Sequence, residues 1–276
     1  MRDFLLDKNI VGCFMVSRCG DILHYTIPEM MRWVNSMIIM FDFADENTRN
    51  IVNKYKEQYG NIETFESGVP NTVGTRNQEL IENEEQGMYR RFNTLQGQIR
   101  EKMLDYVKDK MMGGEKIDIL IWMDSDEALN DSTKQTLIDF SNNDEKRGLL
   151  LQSIEVFNDL YHITKNRMNC HLRIIKPSLD YHVLPYRGLA NIWGITKPQK
   201  QRCLYAYTHA YMLTEYKRAW RAKHWRGRDK EEYLKIPLWK TDKKATELSP
   251  EEITNIFNKK PNLTIGEYLK KHNLKV

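Results

Sequence analysis

The residues of this chain best suited to chemistry are three acids between 124 and 127. They close the stretch "DILIWMDSDEAL" (118–129), where Asp124, Asp126 and Glu127 follow the apolar run Ile119-Leu120-Ile121-Trp122-Met123. Carboxylates packed together repel, and each is costly to desolvate. A positive partner is therefore expected beside them. On an extended segment residues i and i+2 point the same way, so Asp124 and Asp126 can address one cation. Oxygen ligands suit Mg2+ or Mn2+. Such an ion commonly shares its coordination sphere with substrate phosphates and neutralises the charge of a leaving diphosphate. A bare Asp-x-Asp also fits a solvated turn. Its place directly after a buried strand favours the ligand-binding reading.

These acids need a scaffold, and the first half of the chain alternates strand and helix signals. "NIVGCFMVS" (9–17), "SMIIMFDFA" (36–44) and "NIETFE" (61–66) read as strands. Helical patterns cover 24–34, 47–60 and 92–112, the second closed by Gly60 and the third carrying Leu95, Ile99, Met103 and Val107 at helical spacing. Segment 67–90 is polar and reads as a loop. This β-α-β-α order predicts an α/β fold with a mostly parallel sheet and helices on both faces. Ligands of such sheets bind at the carboxyl ends of the strands, which is where Asp42 and Asp124 fall. In the second half, 148–157 and 171–176 read as strands, and 201–225 begins as a strand and becomes a basic helix. A helix start at Ser249-Pro250-Glu251-Glu252 opens the last element. The expected organisation is one domain over 1–240 and a helical tail, 241–276, packed on it.

Composition sets the outer bounds. The 276 residues are 41% hydrophobic and 11% aromatic, enough for a sizeable core. The mean hydropathy of −0.65 fits a soluble protein. No apolar run approaches the roughly 18–20 residues a membrane helix requires. The segment "MRDFLLDKNIVGCFMV" has charges among its apolar residues and does not read as a signal peptide. Cys13, Cys19, Cys170 and Cys203 show no Cys-x-x-Cys spacing; Cys13 and Cys203, in apolar runs, read as small core residues. The cytoplasm of the producing or host cell is the expected location. The sequence does not specify an oligomeric state. A net charge of only +4 means that polyanion binding would need a local patch.

Taken together, these motifs resemble the GT-A glycosyltransferases of the family-2 type, which use nucleotide-sugar donors. "DILIWMDSDEAL" resembles their aspartate motif. "VGCFMVSRCGDILHYTI" (11–27) resembles the first strand and loop, and "MIIMFDFADENTRNIVNKYKEQYG" (37–60) the second strand, acidic loop and helix. "GQIREKMLDYV" (97–107) resembles the helix whose Arg faces the donor, and "YTHAYMLTEYKRAWRAKHW" (207–225) the late histidine with its charged helix. The resemblance spans residues 9 to 225. It implies a Rossmann-like GT-A fold, a UDP-linked sugar donor, and Mn2+ or Mg2+ on Asp124, Asp126 and His209. It implies that Val16, Ser17 and Asp42 hold the nucleoside, with Arg100 and Asp124 at the donor. The loop "DFADENT" is shorter than the family's common form, so Asp45 and Glu46 are not carried over as contacts.

Two roles stay open. An inverting reaction needs a carboxylate base beside the acceptor hydroxyl, and Asp159, Asp180 and Glu155 are the candidates. Retention is the other outcome. The tract "TEYKRAWRAKHWRGRDK" (214–230) interleaves cations with Trp220 and Trp225. Arg218 and Arg221, three apart, share a helix face and can bind the donor diphosphate. The tract also suits a nucleic-acid strand, or a solvated helix face. The chain's Lys/Asn richness and this tract resemble virus-encoded glycosyltransferases. The expected acceptor is a hydroxymethylated pyrimidine in DNA, with a surface glycan or a lipid-linked acceptor as the alternative. Two readings from other classes are a nucleotidyltransferase and a non-catalytic nucleotide-binding module. The absence of a Gly-rich basic phosphate loop weighs against the former, and retention of repelling carboxylates against the latter.

Overall fold

A computed structural model describes residues 5, 7–17, 19–42, 44–68, 86–164, 170–183, 192–212 and 233–274. In chain order its elements begin β1 (Ile10–Val16), α1 (Gly20–Met31), β2 (Ser36–Phe41), α2 (Glu46–Tyr59), β3 (Ile62–Glu66), α3 (Gln86–Met112), β4 (Ile119–Asp124) and β5 (Glu127–Leu129). There follow α4 (Thr133–Asn142), β6 (Gly148–Phe157), β7 (His162–Thr164), β8 (His171–Ile175), β9 (His182–Val183), β10 (Ile192–Trp193) and β11 (Lys200–Met212). The last are β12 (Pro237–Lys240), α5 (Pro250–Phe257), β13 (Leu263–Thr264) and α6 (Ile265–Lys271). The chain divides into two compact units. The first holds Met1–Ser125, Ile138–Leu150 and His171–Arg202; the second holds Asp126–Leu137, Leu151–Cys170 and Cys203–Val276.

In the first unit the strands run in the order β3-β2-β1-β4-β8. β3, β2, β1 and β4 pair in parallel, and β8 joins β4 antiparallel. The α/β class with a mostly parallel sheet, expected from the sequence, is what these strands form. Alternation along β1 shows how both faces are covered. Val11 and Cys13 join Ile99, Met103, Leu104 and Val107 of α3 in one apolar cluster. Gly12, between them, faces the other way, where an added Cβ would stand 3.0 Å from Met30 Cγ of α1. Cys13 is a core residue, and burial pushes its thiol pKa upward.

Local signals set the helix ends. Asp45 caps α2 by accepting from Thr48 N–H at 2.8 Å. The helix stops at Gly60, whose φ of 73° lies in the left-handed region. A side chain there is strained even though space is open. Gly60→Ala is expected to cost about 1 kcal/mol in urea unfolding; an unchanged midpoint would contradict this account of the turn.

The second unit is antiparallel where its pairings are described. β7 pairs with β6 and β12, β12 with β13, and β5 with β11. Its core gathers Phe157, Tyr233, Leu238, Ile265, Tyr268 and Leu269. Residues 241–276 belong to this unit, and α5 starts at a capping box between Ser249 and Glu252. Among the described residues no helix is long and apolar enough to cross a membrane.

Candidate active site

The parallel strands of the first unit bring their carboxyl ends to one edge. Val16 closes β1, Asp42 follows β2, Ser67 follows β3, and Asp124 closes β4. Backbone bonds tie these ends together: Asp42 N–H donates to Val16 O at 2.9 Å, and Ser67 N–H to Phe41 O at 2.9 Å. The buried Asp42 accepts from Ser67 Oγ at 3.0 Å. Ser17, one residue past β1, is described at the same edge. Thr26 of α1 donates to Ser125 O at 2.7 Å, so the turn after Asp124 is held by a helix.

Asp124, which is half-buried, meets positive charge, and that charge comes from arginine. Arg100 Nη2 of α3 donates to Oδ1 at 3.0 Å, and Arg173 Nη2 of β8 to Oδ2 at 2.7 Å. Their side chains are only 2% and 1% exposed. The register that sets Ile174 opposite Ile121, continued one step, sets Arg173 opposite Trp122. Asp124 is then its diagonal neighbour, within reach of a long side chain. Burial alone would push the Asp124 carboxyl pKa up. Arg173 and Arg100 outweigh it and hold the group well below the usual carboxylate range. Both oxygens thus carry guanidinium donors. The sequence marks Arg100 but not Arg173. Ser67 is likewise unmarked, because a serine in a polar stretch carries no signal.

The other acids belong to the second unit. β5 and β11 pair so that His209 lies opposite Glu127. Asn130, directly after β5, anchors this pair by donating to Tyr205 O at 2.8 Å and accepting from Thr208 Oγ1 at 2.7 Å. Asp126 Oδ1 stands 3.6 Å from His209 Nε2, an ion-pair distance rather than a hydrogen bond. Burial pushes the His209 pKa down, but Asp126, and then Glu127 and Glu155, more than reverse this and raise it. Glu127 and Glu155 are themselves buried. Imidazole nitrogen beside carboxylate oxygen is a donor set that fits Mn2+ better than Mg2+, which prefers oxygen ligands alone. Among the described residues no three His, Cys, Asp or Glu side chains form a ready-made metal cluster. An ion on Asp126 and His209 would complete its shell with water or substrate oxygens.

Asp159 and Asp180, the two carboxylates singled out as bases, sit between strands. Asp159, in the second unit, accepts from Tyr161 N–H at 2.8 Å, His162 N–H at 2.9 Å and Tyr268 Oη at 3.3 Å. Its carboxylate also lies 2.9 Å from His162 Nδ1. Burial would raise its pKa, but His162 and the Tyr161 amide bring it below the usual range. A carboxylate so engaged forms a turn and makes a weak base. Asp180, in the first unit, is exposed in the turn before β9. Glu155 is different: it is buried on β6 and acts electrostatically on His209. Arg218, Arg221 and the rest of the basic tract lie outside the described residues. Asp45 is a helix cap, in keeping with its omission from the donor contacts.

No protein-family model matches the chain, and no curated protein matches it. Solved structures do. S. aureus TarS is 11% identical over 81% of this chain and 41% of that one, with a TM-score of 0.43. TarS 1–349 in complex with UDP-GlcNAc is 12% identical over 61% and 45%, with a TM-score of 0.37. GalNAc-T7 with UDP, GalNAc and Mn2+ is 11% identical over 54% and 24%, with a TM-score of 0.33. The chain spans less than half the length of these structures.

Proposed function

We propose that this protein is a metal-dependent glycosyltransferase that moves a sugar from a UDP-linked donor to an acceptor hydroxyl. The observation that carries the reading is the pair of acids flanking Ser125. One closes a parallel strand at its carboxyl end, and the next is paired with a half-buried histidine. In this reading Val16, Ser17, Asp42 and Ser67 hold the nucleoside at the sheet edge. Arg100 and Arg173 fix Asp124 as an ionised acceptor facing the donor. Asp126 and His209 would hold Mn2+ or Mg2+, which when bound neutralises charge on the leaving diphosphate. Glu155, buried on β6 in the unit that holds Asp126 and His209, is the carboxylate this reading assigns to the acceptor proton.

The hydroxymethylated-DNA acceptor rests on the tract 214–230, outside the described residues. It remains the acceptor that such a tract would serve. The test is nucleotide release from a panel of nucleotide-sugars, with and without Mn2+ and with and without hydroxymethylated DNA. Mn2+-dependent release supports the glycosyltransferase, and stimulation by DNA that fades with added salt supports the DNA acceptor. Release of pyrophosphate from nucleoside triphosphates instead would favour a nucleotidyltransferase. Nucleotide binding with no turnover would favour a non-catalytic module.

A further inference from the structure

Within the second unit, β11 breaks its own regularity at one residue. Tyr205 lies inside the strand, yet its φ is 51°, in the left-handed region that a bulky side chain rarely enters. The alternation of the strand breaks with it. Leu204 and Ala206 would share a face in a regular strand, but Leu204 is 54% exposed and Ala206 is fully buried. Such a break acts as a β-bulge does, re-aiming the side chains beyond it. The Tyr205 ring packs edge-on against Phe257 of α5, with centroids 6.0 Å apart.

Asn130 holds the break from both sides. Its Nδ2 donates to Tyr205 O at 2.8 Å, its backbone N–H to Ala206 O at 2.9 Å, and its Oδ1 accepts from Thr208 Oγ1 at 2.7 Å. Thr133 Oγ1 adds a donor to Ala206 O at 2.6 Å. Asn130 and Thr208 are fully buried, so solvent does not compete for these bonds. A bulky residue stays in the left-handed region only where its surroundings fix it there. An asparagine amide offers both the donor and the acceptor that this position uses. Beyond the break, β11 meets β5 with Thr208 opposite Ala128 and His209 opposite Glu127. A slip of one residue would turn every side chain to the other face. Thr208 would then stand opposite Glu127, and the imidazole would leave Asp126.

We propose that Asn130 is a positioning residue: by holding the break at Tyr205, it fixes the phase of β11 that sets His209 beside Asp126. Its part in metal binding rests on the transferase reading above; its part in the phase of the strand does not. Under that reading His209 meets the ion, and Asn130 acts only by deciding which side chain faces Asp126. A regular strand through Tyr205 would carry no strain. The break is kept at a local cost, and the phase of His209 is what that cost secures.

The test compares Asn130→Ala, Tyr205→Gly and the double variant in the full chain. It reads the cross-strand NMR contact between His209 and Glu127, Mn2+ binding in the presence of UDP, and UDP affinity without metal. Asn130→Ala should lose the contact and weaken Mn2+ binding about 10–100-fold, as loss of a residue behind a metal ligand does. Metal-free UDP affinity should not change, because the strand ends of the first unit are untouched. Glycine enters the left-handed region freely. Tyr205→Gly alone should therefore keep the contact, and added to Asn130→Ala it should restore the contact with most of the Mn2+ affinity. Asn130→Leu keeps the side-chain volume and repeats the comparison where the alanine variant is unstable. A folded Asn130 variant that retains the His209–Glu127 contact overturns the proposal. So does a loss that Tyr205→Gly does not repair, because Asn130 then supports the unit at large. Failure of the transferase reading looks different: the unaltered chain would bind no Mn2+, while the His209–Glu127 contact would still depend on Asn130.

Discussion

Asp124→Ala is expected to destabilise the first unit by about 3–5 kcal/mol, the usual cost of removing one partner from a buried ionic group. The reason is the asymmetry of what stays behind. Arg100 and Arg173 are buried and cannot neutralise themselves at any accessible pH. Without the carboxylate they share, two guanidiniums lose their common acceptor. The Asp124 side chain is 30% exposed, so water softens the loss toward the lower figure. The pH dependence follows from the direction of the shift. The folded carboxyl pKa lies below the unfolded one, near 3.9. The ionised form therefore stabilises fully above about pH 5, and this contribution fades as pH falls through the folded value. Urea unfolding of Asp124→Asn should show a constant deficit from pH 5 to 8 that shrinks toward pH 2. A deficit that does not narrow in acid would show that the arginines do not depend on the carboxylate's charge.

Much of the first unit can be read from its pattern. β1, β2 and β4 are apolar runs whose alternate residues serve two covered faces, so burial on both sides follows from composition. Gly60 and the Ser249-Pro250-Glu251-Glu252 box mark helix ends because their chemistry is local. β5, β7, β9, β10, β12 and β13 span two to four residues. That is too short for a period to register, and they exist because a neighbour offers an edge. The start of α1 at Gly20 is equally non-local. Thr48 Oγ1 of α2 accepts from the amides of Cys19 and Gly20 at 3.1 and 3.0 Å.

The site was legible in its acids and less so in their partners. An acid at the end of a buried strand announces that it needs a cation, but it does not say which one. A metal ion is the economical inference for Asp124; Arg100 and Arg173 also meet its carboxylate. Arg173 was available as a signal, being the one charged residue within "LRII" of an apolar strand. Its meaning depends on β8 lying antiparallel to β4, which no local pattern shows. His209 came from the family resemblance. The structure gives that choice physical content by pairing β11 with β5, which brings the imidazole to Asp126.

Asp126→Ala separates the two acids, because it should spare the fold and remove the turnover. Its partner His209 can shed its proton when the carboxylate is lost, as an arginine cannot, so the stability cost should stay near 1 kcal/mol. If Asp126 and His209 hold the ion that receives the diphosphate, Mn2+-stimulated nucleotide release should fall by at least about 10²–10³-fold. UDP affinity measured without metal should not change, because the first unit's strand ends are untouched. The Mn2+-dependent gain in UDP affinity should vanish. Asp124→Asn should give the reverse pattern, with weaker UDP binding in the absence of metal. A variant lacking Asp126 that keeps its metal-stimulated release would move the ion elsewhere and sink this division of labour. Loss of metal-free UDP binding in the same variant would instead make Asp126 a direct nucleotide contact.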